Sequence, residues 1–410
     1  MIMKILWLSS VQLTDKKVLG SGTWIPGMYA ILKNRFADLE IVNLTWGGVS
    51  QPIMVEADGI KEWIIPKSQE MTSKTIRYID QIIIDESPDV IQVWGTEDCW
   101  GMFPFTELCP NIPAIVEIQG ILASVSEEYY GGLTPWELVK CWNIKEFLKP
   151  SSSLPAIRHL YTRNIEREKR ILELAKNIGV QSKWSARVVR TYNRNAQLYN
   201  SGIALRPAFY SSMKWDLSSL KEIKIFSTAL MGQPLKGAWT LFKAFAIVKK
   251  WYPNAQLILA GVKEEGLRRS GFCRMLIKFA EKHGFIDDIQ HMGKVTAEQL
   301  AELYRTSSIF VNPSNWESYS VVTAESMYIG TPTVAAYSGA MPELGKDNSV
   351  MYFPKGDHRI CASMILDILG DESLAKDLSE RSIRVAEIRQ NRVWIADQQM
   401  DTYNKMITKI

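Results

Sequence analysis

The stretch "NPSNWESYSVVTAESMYIGTPTVAAYSGAMPEL", Asn312–Leu344, sets two glutamates, Glu317 and Glu325, eight positions apart around a candidate helix start. The run "SIFVN" (308–312) ahead of it reads as a buried strand, and "TPTVAAYS" (331–338) behind it reads as another. Strand, loop, helix and strand in this order are one turn of an α/β sheet. In open sheets of this kind ligands gather at the carboxyl ends of the strands, so the loop Pro313–Val321 is a candidate binding loop and Glu317 is expected to point into an interlobe cleft. A helix starting at about Ser320 leaves the N–H groups of Ser320, Val321 and Val322 without intrahelical partners, which suits a phosphate. Glu325, one turn inside, can accept hydrogen bonds from a diol such as ribose. A glutamate before a helix can simply favour the dipole. The apolar flanks "VVTA" and "SMYIG" put Glu325 on a buried helix, where an idle carboxylate is costly.

The same pattern extends in both directions. "IKIFSTAL" (223–230), "AQLILAG" (255–261) and "DIQHMG" (288–293) read as further buried strands, separated by amphipathic stretches such as "AWTLFKAFAIVKKWY" (238–252) and "TAEQLAELYRT" (296–306). The first half repeats the theme with "KILWLSS" (4–10), "LEIVNLTWG" (39–47), "DVIQVWG" (89–95) and "AIVEIQG" (114–120), before a more helical, charged part over roughly 125–205. The fold class is therefore α/β, with two Rossmann-like doubly wound domains. The expected division is 1–212, 213–390 and a C-terminal helix over 391–410 packing back towards the N-terminal domain, with a polar linker near 211–223.

An anion site flanked by carboxylates needs a cation, and "LMGQPLKGAW" (230–239) supplies Lys236, with Gly237 allowing close backbone approach after the strand at 223–230. Bulk properties narrow the function classes. With 410 residues, 46% hydrophobic content and a net charge of +4, the chain is an ordinary two-domain protein with no overall signature of a nucleic-acid partner. Its five cysteines are scattered without a CxxC pair, which speaks against a disulfide framework or structural zinc and for a reducing cytoplasm. "MIMKILWLSS" is too short an apolar run for a signal peptide, and no run reaches the ~18 residues of a spanning helix.

These blocks resemble the donor lobe of retaining family 4 glycosyltransferases of the GT-B fold: "PLKG", "AFAIVKKWYPNAQLILAG", "MGKVTAEQLAELYRTSSIFVNPSNWES" and "ESMYIGTPTVAAYSGAMPEL". Glu317 and Glu325 match the family's E-x7-E motif. The first half is more loosely similar to bacterial surface-polysaccharide members through "MKILWLSS", "GSGTW" (20–24), "PDVIQVWGTED" (88–98) and "EIQGIL" (117–122). The resemblance implies transfer of a sugar from a nucleotide-diphosphate sugar to a glycan acceptor, often lipid-linked, with retained anomeric configuration. Glu317 would be catalytic. Lys236, Gly237, Glu325, Tyr319, Ser320, Val321, Val295 and Gln119 would bind the donor, and Gly22, Trp24 and Glu97 would form the acceptor and diphosphate loop.

The chain also departs from the family pattern. The second diphosphate cation, an arginine in many members, falls near Leu230 here, so Lys183 and Arg187 are the candidate replacements. Gln119 stands where a histidine is frequent, and it can hydrogen-bond a sugar but cannot titrate as a base. Ser318 and Ser320 stand where glycines are common. No D-x-D pair occurs and His159, His283, His291 and His358 form no cluster, so no metal and no cofactor beyond the nucleotide sugar are expected. The segment 136–170 mixes Trp136, Trp142, Phe147, Leu148 and Tyr161 with Lys140, Lys145, Lys149, Arg158, Arg163, Arg167, Lys169 and Arg170, a composition suited to peripheral contact with an anionic membrane at its inner face. The rival readings are a phosphorylase-like enzyme, a bilobal sugar-binding protein and a catalytically degenerate scaffold subunit.

Overall fold

The computed structural model describes residues 2–15, 24–68, 70–105, 112–142, 146, 148–229, 232–261 and 270–408. Gly22, Leu230, Lys145 and Phe147 lie outside them. The chain divides into two units. The first comprises Met1–Leu122, Arg163–Arg206 and Gln390–Ile410, and the second comprises Ala123–Thr162 and Pro207–Arg389.

The first unit is built on eight strands: β1 (Met3–Leu8), β2 (Leu39–Gly47), β3 (Ile53–Ala57), β4 (Ile60–Pro66), β5 (Val90–Trp94), β6 (Ala114–Glu117), β7 (Asn177–Val180) and β8 (Gln197–Asn200). They lie in the order β3-β4-β2-β1-β5-β6-β7-β8, all parallel except the β3–β4 hairpin at one edge. The central strands are apolar throughout because helices cover both faces of a parallel sheet, and β5 is buried along its whole length. Its core is aromatic: Trp94 meets Trp7 edge-on at 4.9 Å and Trp24 at 5.1 Å.

The second unit holds six parallel strands: β9 (Lys224–Ser227), β10 (Gln256–Ala260), β11 (Ile289–Gly293), β12 (Ile309–Asn312), β13 (Thr333–Tyr337) and β14 (Met351–Pro354). Their order is β11-β10-β9-β12-β13-β14. The chain therefore runs outward from β9 through β10 to β11, then crosses back and runs the other way from β12. The strand order reverses between β9 and β12, which pair in parallel at Ile225 with Ile309 and Phe226 with Phe310. The Ala238–Trp251 helix that follows β9 turns Leu241, Phe242, Phe245 and Val248 into the core, all fully buried.

The domain division differs from the one expected from sequence. The break after the first half falls at Arg206–Pro207 rather than at 212, and Ala123–Thr162 groups with the second unit instead of the first. The cause is side-chain contact remote in sequence. Trp239 donates from Nε1 to Glu137 Oε1 at 2.8 Å, Lys355 pairs with Glu128 at 2.5 Å, and Glu146 accepts the Gly271 N–H at 2.8 Å. The last segment, Gln390–Ile410, groups with the first unit, where Trp7 Nε1 donates to Tyr403 of the Arg392–Ile407 helix at 3.2 Å.

Candidate active site

Because all strands of the second unit are parallel, the loops that follow them emerge along one edge of the sheet. A ligand is best received where the strand order reverses, since the loops on either side diverge there and leave a crevice. In this unit those are the loops after β9 and β12, and they carry Lys236 and Glu317. Lys236 Nζ donates to Glu317 Oε1 at 2.8 Å, with the glutamate side chain 15% exposed and the lysine 30%.

The pair is held by its backbone surroundings. Residues Pro234–Lys236 form a 3₁₀ turn closed by Gly237, whose φ of +77° is open to glycine and strained for other residues. A Cβ at Gly237 would collide with the carbonyl oxygen of Pro313, so this position lets the two loops touch. Asn315 then stitches them together: its N–H donates to the Leu235 carbonyl at 2.8 Å, and its Nδ2 donates to the same oxygen at 3.3 Å. On the other side, the Glu317 carbonyl accepts the Ala340 N–H at 2.8 Å, and Ser338 Oγ donates to the Ser314 carbonyl at 2.8 Å. Gly339, at φ +51°, makes room for the Glu317 backbone, into which its Cβ would project.

The helix behind Glu317 runs from Val321 to Ile329. Its N-cap residue Ser320 has φ +81° and does not cap the helix. Instead Ser320 Oγ donates to Thr323 Oγ1 at 2.9 Å and accepts from Asn312 Nδ2 at 2.8 Å. No acidic residue occupies the first turn. An N-terminus left uncapped by its own side chain, with a lysine beside it, presents N–H groups and positive charge to an anion. The Ala238–Trp251 helix starts the same way at Gly237, also without a side-chain cap. Thr296, Ser270 and Asp357, by contrast, each cap the helix that follows them. Glu325 is 1% exposed, one turn inside the helix, and Ser318 and Tyr319 are buried. Val295 is half-buried in the turn after β11, at the same edge two strands from β9.

The remaining expected site residues belong to the first unit. There the order reverses between β1 and β5, so the loops after those strands are the equivalent position. Glu97 lies three residues past the end of β5, and desolvation, with Glu168 and Asp98 nearby, pushes its carboxyl up to about 7. A Cβ on Gly95 would meet both the Glu97 carboxylate and the Gln119 carboxamide, so these two gather over one glycine. Their loops are fixed by Glu168, which accepts from Thr96 Oγ1 at 2.6 Å and from the Leu122 N–H at 2.7 Å, and by Arg167, which donates to the Glu97 carbonyl. Lys183 and Arg187 stand one turn apart and exposed on the Lys183–Tyr192 helix of this unit. Trp24, at the start of the Ile25–Arg35 helix, is 7% exposed and packs edge-on against Trp94.

Asn312, Asn315, Gly339, Glu168 and Glu62 were not foreseen. Glu62, buried on β4, accepts the Leu13 N–H at 2.6 Å and Asn43 Nδ2 at 2.7 Å, and so shapes the start of the loop after β1. For Asn312, Asn315 and Gly339 the sequence signal was the punctuation itself, asparagine and glycine at or just after apolar strands, whereas Glu168 lies inside a helix and Glu62 inside β4 with no such signal. Among the described residues no group of three or more His, Cys, Asp or Glu could hold a metal ion. No described helix is long and apolar enough to cross a membrane.

Residues 216–385 match the family "Glycosyl transferases group 1". D-inositol 3-phosphate glycosyltransferase of Streptomyces avermitilis is 30% identical over 158 residues, 38% of this chain and 34% of the relative. The chain thus matches about a third of the length of the curated relatives. The fold as a whole is similar to sucrose-phosphate synthase from Thermosynechococcus elongatus, with a TM-score of 0.75, 16% identity and full coverage of both chains. It is also similar to HepE of Anabaena in complex with UDP and glucose, with a TM-score of 0.68, 15% identity and 98% and 99% coverage. Two Rossmann-like units with parallel sheets are the architecture of GT-B glycosyltransferases, and in this chain the group 1 match falls on the unit that carries Lys236, Glu317 and Glu325.

Proposed function

We propose that this chain is a retaining glycosyltransferase that moves a hexosyl residue from a nucleotide-diphosphate sugar to a glycan acceptor, lipid-linked, in bacterial surface polysaccharide synthesis. It would work at the inner face of the cell membrane. The observation that carries this reading is the Lys236–Glu317 pair beside an uncapped helix start, at the point where the strand order of the second unit reverses. The group 1 match over 216–385, the inositol-phosphate relatives and the GT-B fold support the donor chemistry. The lipid-linked acceptor and the polysaccharide role rest on the looser resemblance of the first half.

In this reading the diphosphate lies against the first turn of the Val321–Ile329 helix, with Lys236 countering its charge, and Glu325 takes the ribose hydroxyls. The bond from the anomeric carbon to the diphosphate breaks and a bond to the acceptor oxygen forms on the same face, while the acceptor proton passes to the departing phosphate. Glu317 holds the sugar and stabilises positive charge at the anomeric carbon. Lys236 and the helix dipole do the work that a divalent cation does at a D-x-D motif, so no metal is required.

Thermal shift with a panel of nucleotide sugars, beginning with UDP-sugars, tests the donor. Stabilisation by at least one of them, followed by slow release of a sugar whose first-formed anomer by NMR matches the donor, is the expected result. Stabilisation by no nucleotide sugar sinks the proposal, and release of the opposite anomer overturns retention.

A further inference from the structure

The turn over residues 129–132 comes from the first half of the sequence, yet it belongs to the second unit and packs against the loop that carries Lys236. Gly131 is buried with φ +60°, and a Cβ there would collide with the Pro234 carbonyl oxygen and come within 3.0 Å of Asn315 Nδ2. The bare Cα of Gly131 therefore rests on the oxygen that shapes the lysine's turn. That oxygen accepts the Gly237 N–H at 2.9 Å, which closes Pro234–Lys236 into its 3₁₀ turn, and Asn315 Nδ2 donates to it at 3.5 Å. At the other end of the turn, Gly237 leaves no room for a Cβ against Pro313. The backbone of Lys236 is thus confined by two glycine contacts.

Three anchors hold the turn there. Glu128 pairs at 2.5 Å with Lys355, directly after β14, and Gly131 meets Pro234 and Asn315 in the loops after β9 and β12. Glu137 Oε1 accepts from Trp239 Nε1 at 2.8 Å, in the first turn of the helix that starts behind Lys236. All three partners follow strands of one parallel sheet, so residues 128–137 run along the edge at which Lys236 and Glu317 emerge. Between the anchors the segment is stiffened from within. The Gly131 N–H donates to the Glu128 carbonyl at 2.9 Å and the Leu133 N–H to the Tyr130 carbonyl at 3.1 Å, Tyr129 and Leu133 are buried, and Glu137 closes a capping box with Thr134. The next glycine supplies a contrast. Gly132 has φ +74°, but a Cβ there would meet nothing within 4 Å. Both glycines relieve the strain of a left-handed backbone, and only Gly131 is also required by the space at Pro234.

We infer that Gly131 is a positioning residue for Lys236: residues 128–137 form a strap that fixes the Pro234–Lys236 turn and so sets how well the ammonium meets the diphosphate of the donor. The inference deepens the proposed function and rests on its assignment of Lys236 to the diphosphate. A lysine side chain is a flexible stem, so its order at the site comes from the backbone beneath it. A turn free to move would leave the ammonium with many positions, of which few face the ligand. The strap removes the others before the ligand arrives, which lowers the ordering cost of binding.

Isothermal titration of the full chain with UDP, with ADP and GDP in parallel, and thermal unfolding of the same samples test it. Gly131→Ala should weaken the nucleoside diphosphate roughly three- to ten-fold, short of the full loss of the lysine's charge-assisted hydrogen bond. Gly132→Ala, which carries comparable backbone strain without the collision, should also lower the unfolding midpoint but leave the affinity unchanged. Because Gly131 acts through Lys236, adding Gly131→Ala to Lys236→Ala should cost no further affinity. Parental affinity in Gly131→Ala overturns the inference. So does a fully additive loss in the double variant, which would mean general damage to the site. If Gly131→Ala does not fold, Glu128→Gln, which gives up only a partly exposed ion pair, decides the point. A roughly two- to three-fold loss that vanishes in the Lys236→Ala background supports the strap, and unchanged affinity refutes it. A parent chain that binds none of the three nucleotides sinks the donor reading and this inference with it, whereas normal parental binding indifferent to Gly131 sinks the inference alone.

Discussion

Lys236 Nζ and Glu317 Oε1, 81 residues apart in sequence, form a 2.8 Å ion pair across the two loops where the strand order of the second unit reverses. The pair gives each partner a distinct consequence when removed. Without the glutamate, the lysine has no carboxylate competing with an incoming diphosphate. Glu317→Ala is therefore expected to bind nucleotide diphosphate as well as the parent chain or better, while transfer falls by about 10²–10³-fold, the usual loss when a group that stabilises transition-state charge is deleted. Isothermal titration with nucleotide diphosphate and a transfer assay measure the two effects separately. Retained transfer removes Glu317 from the catalytic role.

The opposite pattern is expected for the residues assigned to the nucleotide. Lys236→Ala and Glu325→Ala should each weaken nucleotide diphosphate by about 1–3 kcal/mol, the loss of one charge-assisted hydrogen bond. Glu325 is buried while Lys236 is partly exposed, so the two differ in stability: Glu325→Ala should also lower the unfolding midpoint, and Lys236→Ala should leave it nearly unchanged. Titration and thermal unfolding on the same samples check both. Unaltered nucleotide affinity in the two variants would make them structural residues only.

The legible part of this fold was the part governed by local pattern. β2 was readable at Leu39–Gly47, and β9 to β13 stood out as apolar runs punctuated by glycine, serine or proline. From those, the binding edge and the pair of loops followed. β7 (Asn177–Val180) and β8 (Gln197–Asn200) escaped because four residues within a charged, helical stretch carry too little periodicity. The β3–β4 hairpin escaped because β3 is a half-exposed edge strand with a mixed surface. The placement of Ala123–Thr162 was illegible in principle, since it depends on pairs such as Glu137 with Trp239 that no local pattern announces. Ser320 shows how a sequence departure is accommodated, because its left-handed backbone is offset by buried hydrogen bonds to Asn312 and Thr323.

The charge of the departing diphosphate leads to a third prediction. If Lys236 and the Val321–Ile329 helix start neutralise it, nucleotide-sugar hydrolysis should persist in EDTA at no less than about half its rate, because no step passes through a cation. Rates measured with EDTA and with added magnesium or manganese decide the point. Strict dependence on either metal would overturn the assignment of this work to Lys236.

Glu117, at the end of β6, supplies a pH dependence that belongs to the fold rather than to catalysis. Its side chain is fully buried and accepts from Gln92 Nε2 at 2.9 Å, while Gln92 in turn accepts from Tyr403 of the C-terminal helix. Burial pushes the carboxyl up from 4.5 to about 7, against the opposing effect of hydrogen bonds to Ser201 and Gln92. Between these two values the folded chain holds a proton that the unfolded chain has released. Stability from this group is therefore complete below about 4.5 and is lost as the pH rises towards and through about 7. The shift corresponds to roughly 3 kcal/mol, an order-of-magnitude figure at about 1.4 kcal/mol per unit. Glu117→Gln keeps the acceptor for Gln92 and has no proton to lose, so urea unfolding at pH 5.5 and pH 8 should show a marked fall in midpoint for the parent chain and a much flatter response for the variant. An identical fall in both would place the titrating group elsewhere.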